Sequence, residues 1–105
     1  MRLDERGEVI VISLLGEECG QLWKEIEPHV QRGRKRFVLD LSGVGFLNSM
    51  NIAAMIGVRN KLQPSGGRLM LAGLQEPIKA IFRILKLERL FDLNLDVAGA
   101  VRAVG

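Results

Sequence analysis

Phe37-Val38-Leu39-Asp40-Leu41 is apolar at every position but one. A strand of that composition needs cover on both faces, the condition met in a parallel sheet flanked by helices. It breaks at Ser42-Gly43, then runs through Val44, Gly45, Phe46 and Leu47 to a polar corner, Asn48-Ser49-Met50-Asn51, beyond which a helical pattern starts at Ile52. The corner joins a strand to a helix, where backbone N–H groups and a positive dipole end are available. Two readings of it stand side by side. Either the polar residues only cap the helix, or Ser49 is presented there for chemistry.

The rest of the chain repeats the same grammar. Met1 to Arg6 alternates weakly before a turn at Gly7-Glu8, and the β-branched run Val9 to Leu15 follows as a strand closed by Gly16. Leu22, Trp23, Ile26 and Val30 recur at helical spacing. Pro28 is expected to kink or shorten that helix, and Gly33 to end it. The helix after the corner spans about residues 51–63 and stops at Pro64-Ser65-Gly66-Gly67. Its apolar surface is wider than one stripe, so part of it faces the sheet, and the remainder is either open to a partner or covered as in a deeply buried helix. A strand at residues 68–72 follows, closed by Gly73. Then comes a helix opening at Pro77, with Ile78, Ile81, Phe82 and Leu85 inward and Lys79, Arg83 and Lys86 outward. Leu90 to Leu95 is expected as a last short strand, and Asp96 as the cap of a last helix through Val97, Val101 and Val104. The expected architecture is a single α/β domain over residues 1–105, a four- to five-stranded, mainly parallel sheet packed against four helices. Ligands of such sheets lie beyond the carboxyl ends of the strands, where the 48–51 corner sits.

Composition narrows the function. The 105 residues are 48% hydrophobic and 26% charged, as folded proteins are. Aromatics make up 5% with no tyrosine, too few for base-stacking platforms, and the net charge is +3. Arg32, Arg34, Lys35 and Arg36 form a basic run able to touch phosphate or an anionic membrane, although a solvated helix end reads the same way. Nucleic acid is not an expected partner. Cys19 and His29 are the only residues of their types, so neither a disulfide nor a zinc site is expected, and no metal or cofactor is called for. No nucleophile–base pair suggests itself, and Gly43-Val44-Gly45 lacks the third glycine of a dinucleotide fingerprint. The chain reads as a non-enzyme. With no apolar run of roughly 18 residues and no leader pattern, membrane insertion is not expected and the location reads as cytoplasmic.

Asp40-Leu41-Ser42-Gly43-Val44-Gly45-Phe46-Leu47-Asn48-Ser49 resembles the signature of STAS domains, a "D-L-S-x-V-x-F" run followed by "hydrophobic-D-S-[ST]-G" at the start of a helix. The likeness extends through Gly16-Glu17, Gly66-Gly67, Pro77-Ile78, Phe82-Arg83-Ile84-Leu85 and Leu90-Phe91-Asp92-Leu93, nearly the whole chain. It departs from the signature where Asn48 replaces aspartate, Met50 follows the serine and Asn51 replaces glycine. The link after Gly16 is also shorter than in the regulatory members.

The resemblance implies a bacterial transcription regulator of the anti-sigma factor antagonist type. In such members a kinase-type anti-sigma factor phosphorylates the serine corresponding to Ser49, and phosphorylation ends the binding. The implied docking surface is the corner and the start of the following helix: Asn48, Ser49, Met50, Asn51, Ala54, Met55 and Val58. A second implied role is a STAS subunit steadying the ATPase of an ABC-type lipid or solvent transporter through much the same face, without phosphorylation. A monomer or weak dimer is expected in either case.

Overall fold

A computed structural model describes residues 1–14 and 18–104, with the side chain of Glu18 not described. Leu15 and the Gly16-Glu17 match lie outside the described residues.

Four strands, β1 (Arg2–Arg6), β2 (Val9–Ser13), β3 (Arg36–Asp40) and β4 (Arg68–Ala72), form one sheet in the order β1-β2-β3-β4. β1 and β2 make an antiparallel hairpin turning at Gly7, whose φ of 63° suits glycine. β2, β3 and β4 are parallel, with Val9, Arg36 and Arg68 in one row. The sheet therefore has two poles. All three parallel strands start at one and finish at the other.

The apolar strands divide residue by residue between two cores, because successive side chains point to opposite faces. Ile10, Ile12, Phe37, Leu39, Leu69 and Leu71 belong to the main core with Leu22, Ile26, Met55, Leu62, Ile78 and Phe82 of the helices. Val9, Val11, Val38 and Ala72 turn the other way and meet Ala100 and Val104. So α1 (Leu22–Gln31), α2 (Ser49–Leu62) and α3 (Glu76–Ile84) cover one face, and α4 (Val97–Val104) covers the other.

α1 passes through Pro28 to Gln31 instead of stopping at it. Pro28 lies near the helix end, and both it and Lys24, whose carbonyl loses a partner, are on the exposed side where water replaces the bond. Gly33, at φ 88°, closes the helix as expected: its N–H donates to the Val30 carbonyl and that of Arg34 to the His29 carbonyl.

The expected last strand at Leu90–Leu95 is not formed. Phe91 and Leu93 are buried as a strand's side chains would be, but an Asx turn, in which the Asn94 N–H donates to Asp92 Oδ1, bends the segment away. Among the described residues, the one backbone bond joining it to the end of β4 is from the Gly73 N–H to the Leu95 carbonyl at 2.9 Å. One bond makes no ladder. Leu85 is also not inward: α3 ends at Ile84, and Leu85 is 50% exposed. Asp96 caps α4 as its type suggests, accepting from the Gly99 N–H at 2.7 Å.

Candidate functional site: the corner between β3 and α2

Three buried anchors, Leu41, Val44 and Leu47, hold the segment between β3 and α2 against the core, and the residues between them point outward. Asp40 starts the turn by accepting the Ser42 N–H, and the Val44 N–H donates to the Leu41 carbonyl. The Gln75 side-chain amide, just before α3, donates to the Ser42 carbonyl at 2.9 Å, tying the loop to the neighbouring element. Gly73 makes this approach possible: with φ 68°, a Cβ there would stand 3.1 Å from Asp40 Oδ1 and 3.1 Å from Ser42 Cβ.

α2 then begins at Ser49, two residues before the expected start near residue 51, because Asn48 is its N-cap. Asn48 Oδ1 accepts the Asn51 N–H at 2.8 Å, and Asn51 Oδ1 accepts the Asn48 N–H at 3.1 Å. Two of the three residues that depart from the STAS signature, Asn48 and Asn51, are thus each other's partners, in a reciprocal capping box. A glycine at 51 has no side chain to return the second bond. Asparagine does, and its side chain is only 8% exposed.

Ser49 occupies the first helical position, exposed, and its hydroxyl makes no hydrogen bond among the described residues. No acidic residue stands in the first turn of α2. Beside it Met50 is 79% exposed and Phe46 65%. The corner is therefore an accessible hydroxyl at the positive end of a 14-residue helix, with two exposed large apolar side chains close in the chain, three residues before it and one after. A negative group on that hydroxyl would meet free N–H groups and no opposing charge from its own turn.

The implied docking residues do not all reach this surface. Asn48, Ser49 and Met50 are exposed and Ala54 is half-buried. Met55 and Val58 are 0% and 2% exposed and belong to the main core, so the expectation that they meet a partner is corrected. The wide apolar surface of α2 is consumed inside the molecule: Ile52, Met55, Val58 and Leu62 are buried, while Ala54 and Ile56 pack on the edge of the same core. Asn51 is in place but serves the cap. Phe46 was not among the expected docking residues. The signal was in the spacing, since anchors at Leu41, Val44 and Leu47 leave position 46 facing out.

Among the described residues no group of three or more His, Cys, Asp and Glu is placed to hold a metal ion. None of the described helices is long and apolar enough to cross a membrane.

A strand order of one antiparallel and three parallel strands, a signature loop tied to the next helix, and a serine at the first position of α2 define a STAS-type domain. Residues 5–100 match the STAS domain family model, and the chain belongs to that family. It is 30% identical over 64 residues to BtrV of Bordetella bronchiseptica, a proposed anti-sigma factor antagonist, the match covering 61% of this chain and 55% of BtrV. The fold is that of a proposed anti-sigma factor antagonist from Thermotoga maritima, TM1081, with a TM-score of 0.81 and 18% identity over 98% of this chain and 92% of that one. It is also that of Bacillus SpoIIAA in its phosphorylated form, with a TM-score of 0.74 and 18% identity over 99% and 98% of the two chains.

Proposed function

We propose that this chain is a partner-switching module of the anti-sigma factor antagonist type, which docks a kinase-type anti-sigma factor through Phe46, Asn48, Ser49 and Met50. Phosphorylation of Ser49 releases the partner. The observation that carries the reading is the unbonded Ser49 hydroxyl at the start of α2, with exposed Phe46 three residues before it and exposed Met50 next to it in the chain. Phe46 and Met50 supply apolar area for an interface, and Ser49 lies between them in the chain. A phosphate adds about −1.5 to −2 charges, which the helix N-terminus tolerates. An apolar partner pressed on that corner has to desolvate the same charge, and affinity falls. The fold survives and the interface is lost. That SpoIIAA, of the same fold, exists in a phosphorylated form supports the assignment.

A specific observation favours the second role, a subunit that steadies a transporter ATPase. Asn48 and Asn51 close the corner with neutral amides bonded to backbone, so no carboxylate is present at 48 to orient the Ser49 hydroxyl. Such a corner serves a constant contact as well as a switched one. The two roles separate in one experiment. The chain is incubated with a purified kinase-type anti-sigma factor of its source organism and ATP, and the adduct is mapped by mass spectrometry. Transfer to Ser49, abolished in Ser49→Ala, with at least tenfold weaker binding of Ser49→Asp, is the expected result. Undiminished binding of Ser49→Asp sinks the switch and leaves the constant-contact role.

A further inference from the structure

The corner occupies one pole of the sheet; the opposite pole gathers nearly all the positive charge. Arg6, Arg36 and Arg68 stand near the starts of the parallel strands, and Lys35 leads into that row, its carbonyl accepting the Arg68 N–H. Every helix also ends there. α2 carries Arg59 and Lys61 in its last turn, α3 Arg83 and α4 Arg102, while Arg32 closes α1. Of the 15 Lys and Arg, only Arg2, Lys24 and Lys79 lie away from this end. Of the acids at this end, Asp4, Glu5 and Glu8 are already paired with Arg6, Arg34 and Arg36, and Glu88 lies beside Arg89. The modest net charge of +3 thus conceals a strongly basic pole facing an acidic one.

Helix dipoles favour one cation at each C-terminus and explain part of this. They do not explain what sits among the cations. Ile84 and Leu85, at the end of α3, are 78% and 50% exposed, two adjacent large aliphatic side chains left largely to solvent. Lys86 follows at φ 59°, the only non-glycine residue in the left-handed region among those described, at a helix C-terminus where glycine is the usual occupant. A lysine held there keeps a cation beside the apolar pair; the adjoining hollow is lined by Arg83 and Arg89 together with Glu88 and Asp92, so the excess of cations comes from the wider pole and not from the hollow itself.

From these observations we infer that the basic pole is a peripheral docking surface for an anionic lipid bilayer, with Ile84 and Leu85 entering the headgroup boundary and the surrounding cations on the lipid phosphates. Aliphatic side chains inside a cationic rim match an interface that is apolar below and negative above. They offer nothing to a nucleic acid, and no aromatic stacking residue accompanies them. Docked in this way, the chain presents Ser49 to solution, because the 14 residues of α2 separate the poles by about 20 Å. The inference does not rest on what Ser49 does.

Flotation of the full chain with phosphatidylcholine–phosphatidylglycerol vesicles tests it, against vesicles of phosphatidylcholine alone. Association with the anionic vesicles only, weakening with added salt, is expected. Ile84→Ser with Leu85→Ser weakens it at least tenfold, since two aliphatic side chains leave the lipid. Lys35→Gln or Lys86→Gly weakens it about fivefold, the effect of one cation near an anionic leaflet. Ser49→Asp binds the vesicles like the wild type, and the fluorescence of Trp23, the single tryptophan, confirms that each variant is folded. No association at low salt, or equal association of the Ile84/Leu85 variant, overturns the inference. Retention on single-stranded RNA with no vesicle binding overturns it in favour of nucleic acid.

Discussion

Replacing Asn51 by glycine, the residue of the STAS signature, separates the capping role of this side chain from any role in binding. Two losses follow from the structure. The Asn48 N–H loses its 3.1 Å acceptor, and a hydrogen bond of this kind is worth about 0.5–1.5 kcal/mol. Glycine in the first turn of α2 adds the backbone entropy that asparagine does not, a difference of roughly 0.3–0.5 kcal/mol on helix-propensity scales. The bond from the Asn51 N–H to Asn48 Oδ1 uses backbone and remains. The sum is a loss of about 1–2 kcal/mol, which for a domain near 100 residues lowers Tm by about 4–16 °C. Urea unfolding followed by the fluorescence of Trp23 measures it directly, since that ring lies beneath Lys61 of α2, 4.9 Å from the ring centroid to Nζ. Asn48→Ala supplies the other side of a double-mutant cycle, with an expected loss of about 1 kcal/mol on its own. Coupling between the two changes of about 0.5 kcal/mol or more is expected from a reciprocal box. An Asn51→Gly protein as stable as the wild type would falsify the capping argument and leave position 51 explained only by contact with a partner.

Other substitutions probe other parts of the reasoning. Met55→Ala, at 0% exposure, is expected to cost about 2–5 kcal/mol in the same unfolding assay; a loss below 1 kcal/mol would return Met55 to the surface role the structure denies it. Gly73→Ala sets a Cβ against Asp40 and Ser42 on a left-handed backbone, so a loss of at least about 1 kcal/mol is expected, and a neutral outcome would mean the signature loop is not pinned there. Lys86→Gly relieves a left-handed lysine and should raise stability by about 1 kcal/mol in chemical denaturation, against its weaker binding to anionic vesicles. Ser49→Asp places a carboxylate at the start of α2 and should add about 0.3–1 kcal/mol at neutral pH and low salt; destabilisation would contradict the tolerance on which the phosphorylation reading depends.

Much of this molecule is legible in its local chemistry. The β-branched run at Val9, the apolar run at Phe37 and the Gly66-Gly67 turn before Arg68 mark the three parallel strands, because strand signals depend on neighbours a few residues apart. Gly33 and Asp96 mark a helix end and a helix start for the same reason, each through hydrogen bonds within one turn. The corner at Asn48–Asn51 is also local, which is why Ser49 stands out before any coordinates exist. Leu90–Leu95 shows where local reading fails: its apolar residues are buried as expected, yet an Asx turn at Asp92 competes with the ladder and wins.

Which face of an apolar element is covered depends on partners distant in the chain, and residue types do not encode it. Met55 and Met50 are the same residue five positions apart on one helix; one lies at 0% exposure and the other at 79% because the sheet and α1 lie on one side of α2 and solvent on the other. Alternation within β2 and β3 likewise assigns Ile10 and Val11 to separate cores only once α4 returns to the second face. The charges behave the same way. Apart from the run at Arg32–Arg36, Lys and Arg from position 6 to position 102 are scattered along the chain, but the strand–helix connectivity starts the three parallel strands and ends the described α-helices at one pole. There the connectivity of the fold, and not the spacing of the residues, collects them into a single surface.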